Sequence, residues 1–250
     1  MASKAPIAFI SGGNTGIGLA VATQLARDHK YHVIIGSRNE TAGQKAADAL
    51  VALGYSASSV QLDLASDDSI AAAASYVESR HGVLDVLINN AGILIDYVPG
   101  ILEKYKELST RELFTQTLST NVVGAACLTE ALLPLLLKST LPRIVFVSSR
   151  MGSLAEATNK STAFYAIDYK AYDCSKAALN MLTLNYARIL EDKGGMVNAA
   201  CPGLVKTNLT NHHPWGASTE EGAQRIVELA TESKGGPTAT FSDRAGLIPW

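Results

Sequence analysis

Two residues near position 175 have the types and the spacing for proton transfer. Tyr172 and Lys176 are four positions apart in a segment of helical periodicity, so their side chains share one face of the helix. A free tyrosine has a pKa of about 10, and a neighbouring ammonium favours the phenolate and lowers that value. The pair therefore predicts a phenol that exchanges a proton with a bound substrate. The alternative is an ordinary helix surface, where Tyr and Lys at this spacing are common.

A glycine-rich turn near the start of the chain suits a phosphate group. Residues 11–18 read Ser-Gly-Gly-Asn-Thr-Gly-Ile-Gly, between a short apolar strand and a helix. Gly12 permits the tight turn, Gly16 lets the backbone approach a pyrophosphate, and Gly18 lets the helix pack closely on the sheet. The free N–H groups and the dipole of the helix N-terminus favour negative charge there. We predict a dinucleotide-binding turn; the alternative is a loop that only joins strand to helix.

The end of the second predicted strand indicates which dinucleotide binds. An acidic residue about 20 positions beyond the glycines typically binds the ribose hydroxyls of NAD. This chain has Ser37, 19 positions after Gly18, followed by Arg38. Since no carboxylate repels a 2′-phosphate and a guanidinium can pair with it, NADP(H) is predicted. The alternative is that Arg38 is a solvated surface residue.

Alternating strands and helices must position these residues. Short β-like runs alternate with helical segments along the whole chain, the pattern of a parallel sheet covered on both faces. The predicted strands are Ile7–Ser11, His32–Ser37, Ser59–Asp63, Val86–Asn89, Arg143–Ser148, Met196–Cys201 and Ala239–Phe241. The predicted helices are Gly16–Asp28, Thr41–Leu53, Asp67–Arg80, Thr110–Leu137, Tyr172–Glu191 and Thr219–Ala230. The predicted fold class is α/β, a single-domain Rossmann fold with a doubly wound, seven-stranded parallel sheet and helices on both faces. Residues 1–145 would bind the cofactor, and residues 146–250 would complete the catalytic and substrate-binding part.

Composition and charge exclude several classes of function. The 250 residues include 21 Lys and Arg against 23 Asp and Glu, and the formal net charge of −2 gives no basic field for nucleic acid or an anionic membrane. The longest apolar run, Ala131–Leu137, contains Pro134 and is far shorter than the roughly 20 residues of a membrane helix. Three widely spaced cysteines support neither a disulfide framework nor a zinc cluster. We expect a cytoplasmic protein with a small-molecule partner and without nucleic acid, membrane or metal.

Further motifs, in a fixed order, carry a resemblance to a known family. The glycine turn has the spacing G-x-x-x-G-x-G, and it is followed by Asn89-Asn90-Ala91-Gly92, Asn121, Ser148-Ser149, Tyr172-x-x-x-Lys176, and Pro202-Gly203 with Thr207. In this order the motifs resemble the short-chain dehydrogenase/reductase family. The stretches that resemble its NADPH-dependent carbonyl reductase branch are Gly12–Ala20, Ser37–Arg38, Gly43-Gln44, Thr129–Pro134, Cys201–Thr207, Glu220–Ala223 and Trp250. The chain departs from the common pattern in the separation of 23 positions between Ser149 and Tyr172, which leaves pocket shape and oligomeric state, a homo-oligomer included, open.

The resemblance implies a role for each site residue. Tyr172 would be the general acid or base, and Ser149 would hydrogen-bond the carbonyl oxygen. Lys176 would bind the nicotinamide ribose, and Asn121 would hold a water that relays protons between Lys176 and solvent. The predicted cofactor-binding residues are Gly12, Asn14, Thr15, Gly16, Ile17, Gly18, Ser37, Arg38, Asp63, Leu64, Asn90, Ala91, Gly92, Tyr172, Lys176, Pro202, Gly203, Val205 and Thr207. The predicted substrate-binding residues are Ser149, Met151, Tyr172 and Leu204, with pocket walls from Ile93–Gly100, Met151–Ala171, Leu204 and Asn208–Ala217.

Together these residues predict an NADP(H)-dependent oxidoreductase that interconverts a ketone or aldehyde and an alcohol. With a positively charged nicotinamide and Lys176 nearby, the pKa of Tyr172 is expected to move toward neutrality. Two alternatives stay open. One is an isomerase or cyclase on the same scaffold, and the other is a non-catalytic protein that senses NADP.

Overall fold

The central sheet is seen in a computed structural model of the chain, which describes residues 5–97 and 103–250. The strands are β1 Ile7–Ser11, β2 His32–Ser37, β3 Ala57–Gln61, β4 Val86–Asn89, β5 Arg143–Val147, β6 Met196–Ala200, β7 Thr240–Asp243 and β8 Gly246–Leu247. They form one sheet in the order β3-β2-β1-β4-β5-β6-β7-β8, with parallel pairing throughout except between β7 and β8. The predicted Rossmann fold is therefore confirmed, but the seven predicted parallel strands gain an antiparallel eighth.

Helices cover both faces of this sheet. They are α1 Gly16–His29, α2 Glu40–Ala52, α3 Asp67–His81, α4 Thr110–Leu118, α5 Ala125–Leu136, α6 Leu154–Ala157, α7 Lys170–Leu190 and α8 Thr219–Thr231. Short 3₁₀ turns lie at Glu103–Tyr105, Arg150–Gly152, Glu191–Lys193 and Asn208–Thr210, and a π turn lies at Ser119–Gly124.

Side chains that alternate along each strand separate two cores. In β1, Ala8 and Ile10 pack with α1, α2 and α8, whereas Ile7 and Phe9 pack with α3, α5 and α7. This is the period of two that places successive strand residues on opposite faces. Because both faces are covered, β1 is buried along its whole length.

Some predicted boundaries are wrong, and the structure gives the reasons. The predicted helix Thr110–Leu137 is interrupted by the π turn, where a Cβ on Gly124 would lie 2.3 Å from the carbonyl oxygen of Leu64. The strand predicted at Ser59–Asp63 starts and ends two residues earlier, so Asp63 lies in the loop beyond β3. The last predicted strand included Ala239, whose φ of 55° is incompatible with an extended strand.

One helical segment passes a length and composition test for a membrane span. It runs from Thr110 to Leu136. In the fold, however, Leu128, Leu132 and Leu136 are fully buried in the core below the sheet. A core helix passes the same test, so this segment is weak evidence for a span.

The strand order creates the crevice in which a ligand can bind. From β1 the chain builds β2 and β3 on one side, and it then crosses to build β4, β5, β6 and β7 on the other. At such a reversal the loops beyond the carboxyl ends of neighbouring strands diverge, and open α/β sheets bind their ligands there.

Candidate active site

Loops from four strands meet at this crevice. The glycine turn follows β1, Asn90–Gly92 follow β4, Ser149 lies beyond β5, and Pro202-Gly203 lie beyond β6. Contacts join them: a Cβ on Gly16 would lie 3.3 Å from the Thr207 methyl, and one on Gly92 would lie 3.2 Å from Asn121 Oδ1 and 3.8 Å from Lys176 Nζ. The structure thus brings residues of distant motifs together at one edge of the sheet.

Lys176 lies buried beneath this edge. Its side chain leaves α7 in the second turn, and its Nζ donates to the carbonyl oxygen of Val147 at 2.8 Å. The same Nζ is 5.3 Å from the centre of the Tyr172 ring. Burial disfavours the ammonium and lowers the pKa of Lys176 to about 8, although nearby Cys201 opposes the shift.

The phenol of Tyr172 behaves differently from the sequence-based expectation. Burial raises the pKa of Tyr172 above its usual range, and this effect outweighs the lowering by a hydrogen bond with Ser149. Lys176 does not compensate, because its ammonium is directed at the backbone of β5. The chain by itself therefore keeps Tyr172 protonated, and the expected fall toward neutrality would require a further positive charge.

Ser149 is held by the turn that it begins. It precedes the 3₁₀ turn Arg150–Gly152, and its Oγ accepts from Met151 N at 3.2 Å. The next residue anchors the turn, because the Arg150 guanidinium pairs with Asp243 of β7 at 2.9 Å and also with Glu156. Farther along, Ser153 Oγ donates to the carbonyl oxygen of Pro249 at 2.6 Å. The loop that carries Ser149 is thus tied to β7 at Asp243 and to Pro249 beyond the last strand.

Asn121 is buried inside the π turn. Its Oδ1 accepts from Ile93 N at 2.8 Å, and its Nδ2 donates to Ile93 O at 2.9 Å and to Ser175 Oγ at 3.0 Å. These bonds join the loop after β4 to α7, so the amide positions both elements. The proton relay through a water at Asn121 stays a prediction.

The N-terminus of α1 fits the pyrophosphate of a dinucleotide. Thr15 occupies the N-cap position, but its side chain accepts no hydrogen bond from the helix, and the first turn contains no acidic residue. Gly16 has a φ of 55°, and a Cβ on Gly18 would lie 2.3 Å from Gly12 O, so both positions require glycine. Asn90 braces the turn by donating to Ser11 O at 2.9 Å and to Gly12 O at 3.3 Å.

The end of β2 corrects one predicted contact. Ser37 is only 2% exposed, and its Oγ donates to Asn39 O at 2.8 Å, so its hydroxyl faces the chain and not a ligand. Ser37 matters for the cofactor because it is not a carboxylate, which would repel a 2′-phosphate. Arg38 is exposed, and its guanidinium has no hydrogen bond or ion pair within the part of the chain that the structure describes. Of the two residues, Arg38 is therefore the one available to a phosphate.

The remaining predicted contacts lie along the same edge. Asp63 is partly buried and its Oδ1 accepts from Ala65 N at 3.0 Å, while Leu64 is buried beside the π turn. The other predicted cofactor residues follow β1, β4 and β6. Ile17 lies in the first turn of α1, and the others lie in the loops: Asn14, Ala91, Pro202, Gly203 and Val205.

The predicted pocket walls are only partly described. Residues 98–100 of the wall Ile93–Gly100 lie outside the described residues. Within the described walls, Met151 is partly buried, Leu204 is exposed, and Trp215 is 88% exposed, with its ring nearly perpendicular to that of His213. The large apolar side chains Leu204 and Trp215 are thus accessible within these predicted walls.

Ser11, Ser148 and Asp96 belong to segments that the sequence analysis named, but it assigned none of them a role of its own. Ser11 Oγ accepts from the backbone N–H groups of Asn90 and Ala91, both at 3.0 Å. Ser148 Oγ lies 2.6 Å from Asn180 Oδ1, which fixes β5 against α7. Asp96 is buried and binds the start of α7. Only Asp96 had a sequence signal, since a charge within the apolar run 93–97 must find a partner.

Neither metal nor disulfide chemistry is apparent in the described ranges. Cys127, Cys174 and Cys201 are free. Within residues 5–97 and 103–250, no three His, Cys, Asp or Glu side chains form a group that could hold a metal ion.

Comparison with known proteins identifies the family. The model of the family described as short chain dehydrogenase matches residues 6–215. The chain belongs to the short-chain dehydrogenase family. This short-chain dehydrogenase is 37% identical over 244 residues to the short-chain dehydrogenase anuI of Penicillium roqueforti, covering 94% of this chain and 92% of that protein. It is 34% identical over 281 residues to the (+)-neomenthol dehydrogenase of Arabidopsis thaliana, covering 92% and 93%.

Solved structures agree with this assignment. The short-chain dehydrogenase superposes on the NADPH-bound carbonyl reductase from chicken fatty liver with a TM-score of 0.82 and 26% identity, covering 99% of this chain and 100% of that chain. The resemblance inferred from the ordered motifs is therefore confirmed, and the protein is an oxidoreductase of this family.

Proposed function

We propose that this short-chain dehydrogenase reduces a ketone or aldehyde to an alcohol with NADPH, and catalyses the reverse oxidation with NADP⁺. The observation that carries the proposal is the joint placement of Tyr172, Ser149 and Lys176 beside an N-terminus of α1 that has no side-chain cap. An open helix end binds the pyrophosphate, and the three side chains provide a proton donor, a hydrogen-bond donor and a buried cation next to it.

The chain's own residues supply the proton and the orientation. The glycine turn and the N-terminus of α1 would hold NADPH, which would supply the hydride. Ser149 donates a hydrogen bond to the substrate oxygen and stabilises the negative charge that develops there. Tyr172 donates the proton, and its raised pKa keeps it in the acidic form throughout the neutral range. Lys176, whose ammonium is held beside the Tyr172 ring by the carbonyl oxygen of Val147, would bind the cofactor ribose.

The preference for NADPH over NADH rests on Arg38. Its exposed guanidinium follows a strand end without a carboxylate, and a guanidinium binds phosphate through paired, charge-assisted hydrogen bonds. A carbonyl reductase of similar fold was solved with NADPH bound, which supports the same choice. The exposed side chains of Leu204 and Trp215, both in the predicted pocket walls, favour a bulky apolar carbonyl compound. The cytoplasmic location stays a prediction.

The decisive experiment removes one oxygen. In Tyr172→Phe the ring remains but the proton donor is lost, so we expect kcat to fall by about 10²–10⁴-fold while NADPH affinity changes little. Tyr186→Phe is the matched control, because Tyr186 lies on the same helix and its hydroxyl binds Glu130 at 2.8 Å, away from the crevice. Cofactor oxidation on a panel of ketones and aldehydes measures kcat, and NADPH fluorescence measures affinity.

Each result of this experiment has a defined meaning. Full activity in Tyr172→Phe would remove the mechanism. A wild-type protein that binds NADPH but oxidises none on the whole panel would favour the sensing protein, and substrate conversion without net cofactor oxidation would favour the isomerase.

A further inference from the structure

A buried carboxylate holds the start of the helix that carries Tyr172. Asp96 is 1% exposed and lies in the loop after β4. Its Oδ1 accepts from Ala171 N at 2.9 Å, and its Oδ2 accepts from Tyr172 N at 3.2 Å. Removing a carboxylate from water is unfavourable, and the two backbone N–H groups offset only part of that cost, because burial still raises the pKa of Asp96 above its usual value.

The bonds replace a cap that α7 does not have. Its N-cap residue, Tyr169, makes no side-chain hydrogen bond to the helix. Among the described helices that begin from a loop, α2, α3, α4 and α8 are capped by their own N-cap side chains, from Asn39, Ser66, Ser109 and Ser218. Asp96 reaches the second and third N–H groups of α7 from a position 75 residues earlier, where a negative charge also suits the helix dipole.

The same loop is fixed at its other end. Ile93 exchanges two backbone hydrogen bonds with the amide of Asn121, which in turn donates to Ser175 on α7. Residues 93–96 therefore connect β4 to α7 directly through Asp96, at Ala171 and Tyr172, and indirectly through Asn121, at Ser175. A shift of this loop would move the phenol relative to Ser149.

We infer that Asp96 is a positioning residue, which sets the place of the Tyr172 phenol by holding the backbone N–H of Tyr172 itself. The inference rests on the proposed function, in which that phenol donates the proton. Asp96 touches neither substrate nor cofactor in this scheme. Its contribution is geometric, and an error of about 1 Å in the position of a catalytic group can lower the rate by about 10²-fold.

The test compares two variants of Asp96 with a control variant that removes the N-cap of another helix. Asp96→Ala removes both acceptors, and Asp96→Asn keeps the shape and one acceptor. Ser66→Ala removes the cap of α3, which bonds only Ser69 N at 3.3 Å and belongs to a helix without site residues. All three are expected to unfold more easily than the wild type, by amounts that chemical denaturation measures.

The expected results separate position from stability. Asp96→Ala should lower kcat by about 10- to 100-fold, keep the Kd of NADPH within about threefold, and lose amide-exchange protection at residues 171 and 172. Asp96→Asn should lose less in both kcat and protection. Ser66→Ala should keep the wild-type kcat and the protection of those two amides. If Asp96→Ala does not fold, a fall in kcat for folded Asp96→Asn supports the inference and an unchanged kcat overturns it.

Failure of this inference is distinct from failure of the proposed function. A wild-type kcat in Asp96→Ala together with lost protection at residues 171 and 172 would overturn the positioning role alone. An equal fall of kcat in Ser66→Ala would also overturn it, because the effect would then follow stability. A wild type that reduces no carbonyl compound would overturn the proposed function first, and the inference with it.

Discussion

The N-termini of α1 and α7 lie at the same edge of the sheet, yet the chain treats them in opposite ways. Neither N-cap residue, Thr15 or Tyr169, caps its helix with a side chain. At α7 the vacant position is filled by the carboxylate of Asp96, whereas no acidic residue lies in the first turn of α1. A helix end closed by the protein's own anion becomes a rigid support, and an end left open can bind an external anion.

The largest expected effect comes from giving α1 the kind of cap that α7 has. Thr15 is exposed with φ and ψ of −156° and 166°, which suits an N-cap carboxylate. Thr15→Asp should raise the free energy of unfolding by about 1 kcal/mol and weaken NADPH binding on the order of 10²–10³-fold, because like charges repel. Denaturant titration and NADPH fluorescence measure the two effects.

A neutral cap is the control for this variant. Thr15→Asn should stabilise the protein similarly but weaken NADPH binding much less, since the added cap has no charge. Unaltered NADPH affinity in Thr15→Asp would show that the open end of α1 is not where the phosphates bind.

The second prediction concerns a helix end that is already closed. Asn39 caps α2 by accepting from Ala42 N at 2.9 Å, so Arg38 beside it must recognise a 2′-phosphate through its side chain. Arg38→Ala should lower the ratio of kcat/KM for NADPH over NADH by about 10- to 100-fold, the effect of losing charge-assisted hydrogen bonds. Arg80→Ala, at the end of α3, is the control and should leave the ratio unchanged. A wild type that prefers NADH would contradict the assignment of Arg38.

The third prediction concerns α7, the helix capped by Asp96, and the pH above which activity falls. Because burial lowers the pKa of Lys176 to about 8, its ammonium is present below that pH and lost above it. In the free enzyme, kcat/KM for NADPH should be flat at neutral pH and fall by about tenfold per unit above pH 8. A profile that stays flat to pH 10 would contradict this.

The carboxyl of Asp173 also titrates near this pH range, so its effect on kcat/KM must be distinguished from the fall above pH 8. Burial, together with Asp96 and Asp168, raises the pKa of Asp173 to about 7. Asp173→Asn should leave the fall above pH 8 in place, because the limb belongs to Lys176. Disappearance of the limb in this variant would reassign it to Asp173.

The smallest expected effect is that of an ordinary cap. Ser218 begins α8 with a reciprocal bond to Glu221, and the pair is exposed. Ser218→Ala should lower the free energy of unfolding by about 1 kcal/mol, a fall in Tm of about 2–4 °C, with unchanged NADPH affinity. Thermal unfolding with and without NADPH checks both points, and a tenfold loss of affinity would show that caps and ligand sites are coupled throughout this fold.

Local patterns predicted much of the fold and of the motif-bearing site. The strand at Ile7–Ser11 is a buried apolar run that ends at glycines, and the observed strand has the same bounds. Tyr172, Lys176 and Ser149 lie at one edge because parallel strands bring their following loops to the same side.

Features that depend on tertiary contacts were not predictable in this way. The spacing of apolar residues gives no sign of the π turn at Asn121, because this turn lies where Gly124 approaches the backbone of Leu64. The cap of α7 by Asp96 was not predicted, because Asp96 and its two partners are 75 and 76 positions apart. The capping signals that a sequence shows lie within a few residues of the helix end. The sequence showed that position 37 has no carboxylate. It could not show that the Ser37 hydroxyl is turned away from a ligand, because its burial depends on packing with α2.

The anchoring of the loop that carries Ser149 has a consequence for how the protein is made. Arg150 and Ser153 find their partners Asp243 and Pro249 at positions 93 and 96 residues later. At about 5–20 residues per second, a ribosome needs roughly 5–20 s to add such a length of chain. During that interval the glycine turn and the first strands can already associate, while the loop of Ser149 still lacks its anchors at Asp243 and Pro249. The nascent chain should therefore become able to bind a nucleotide before it becomes able to reduce anything.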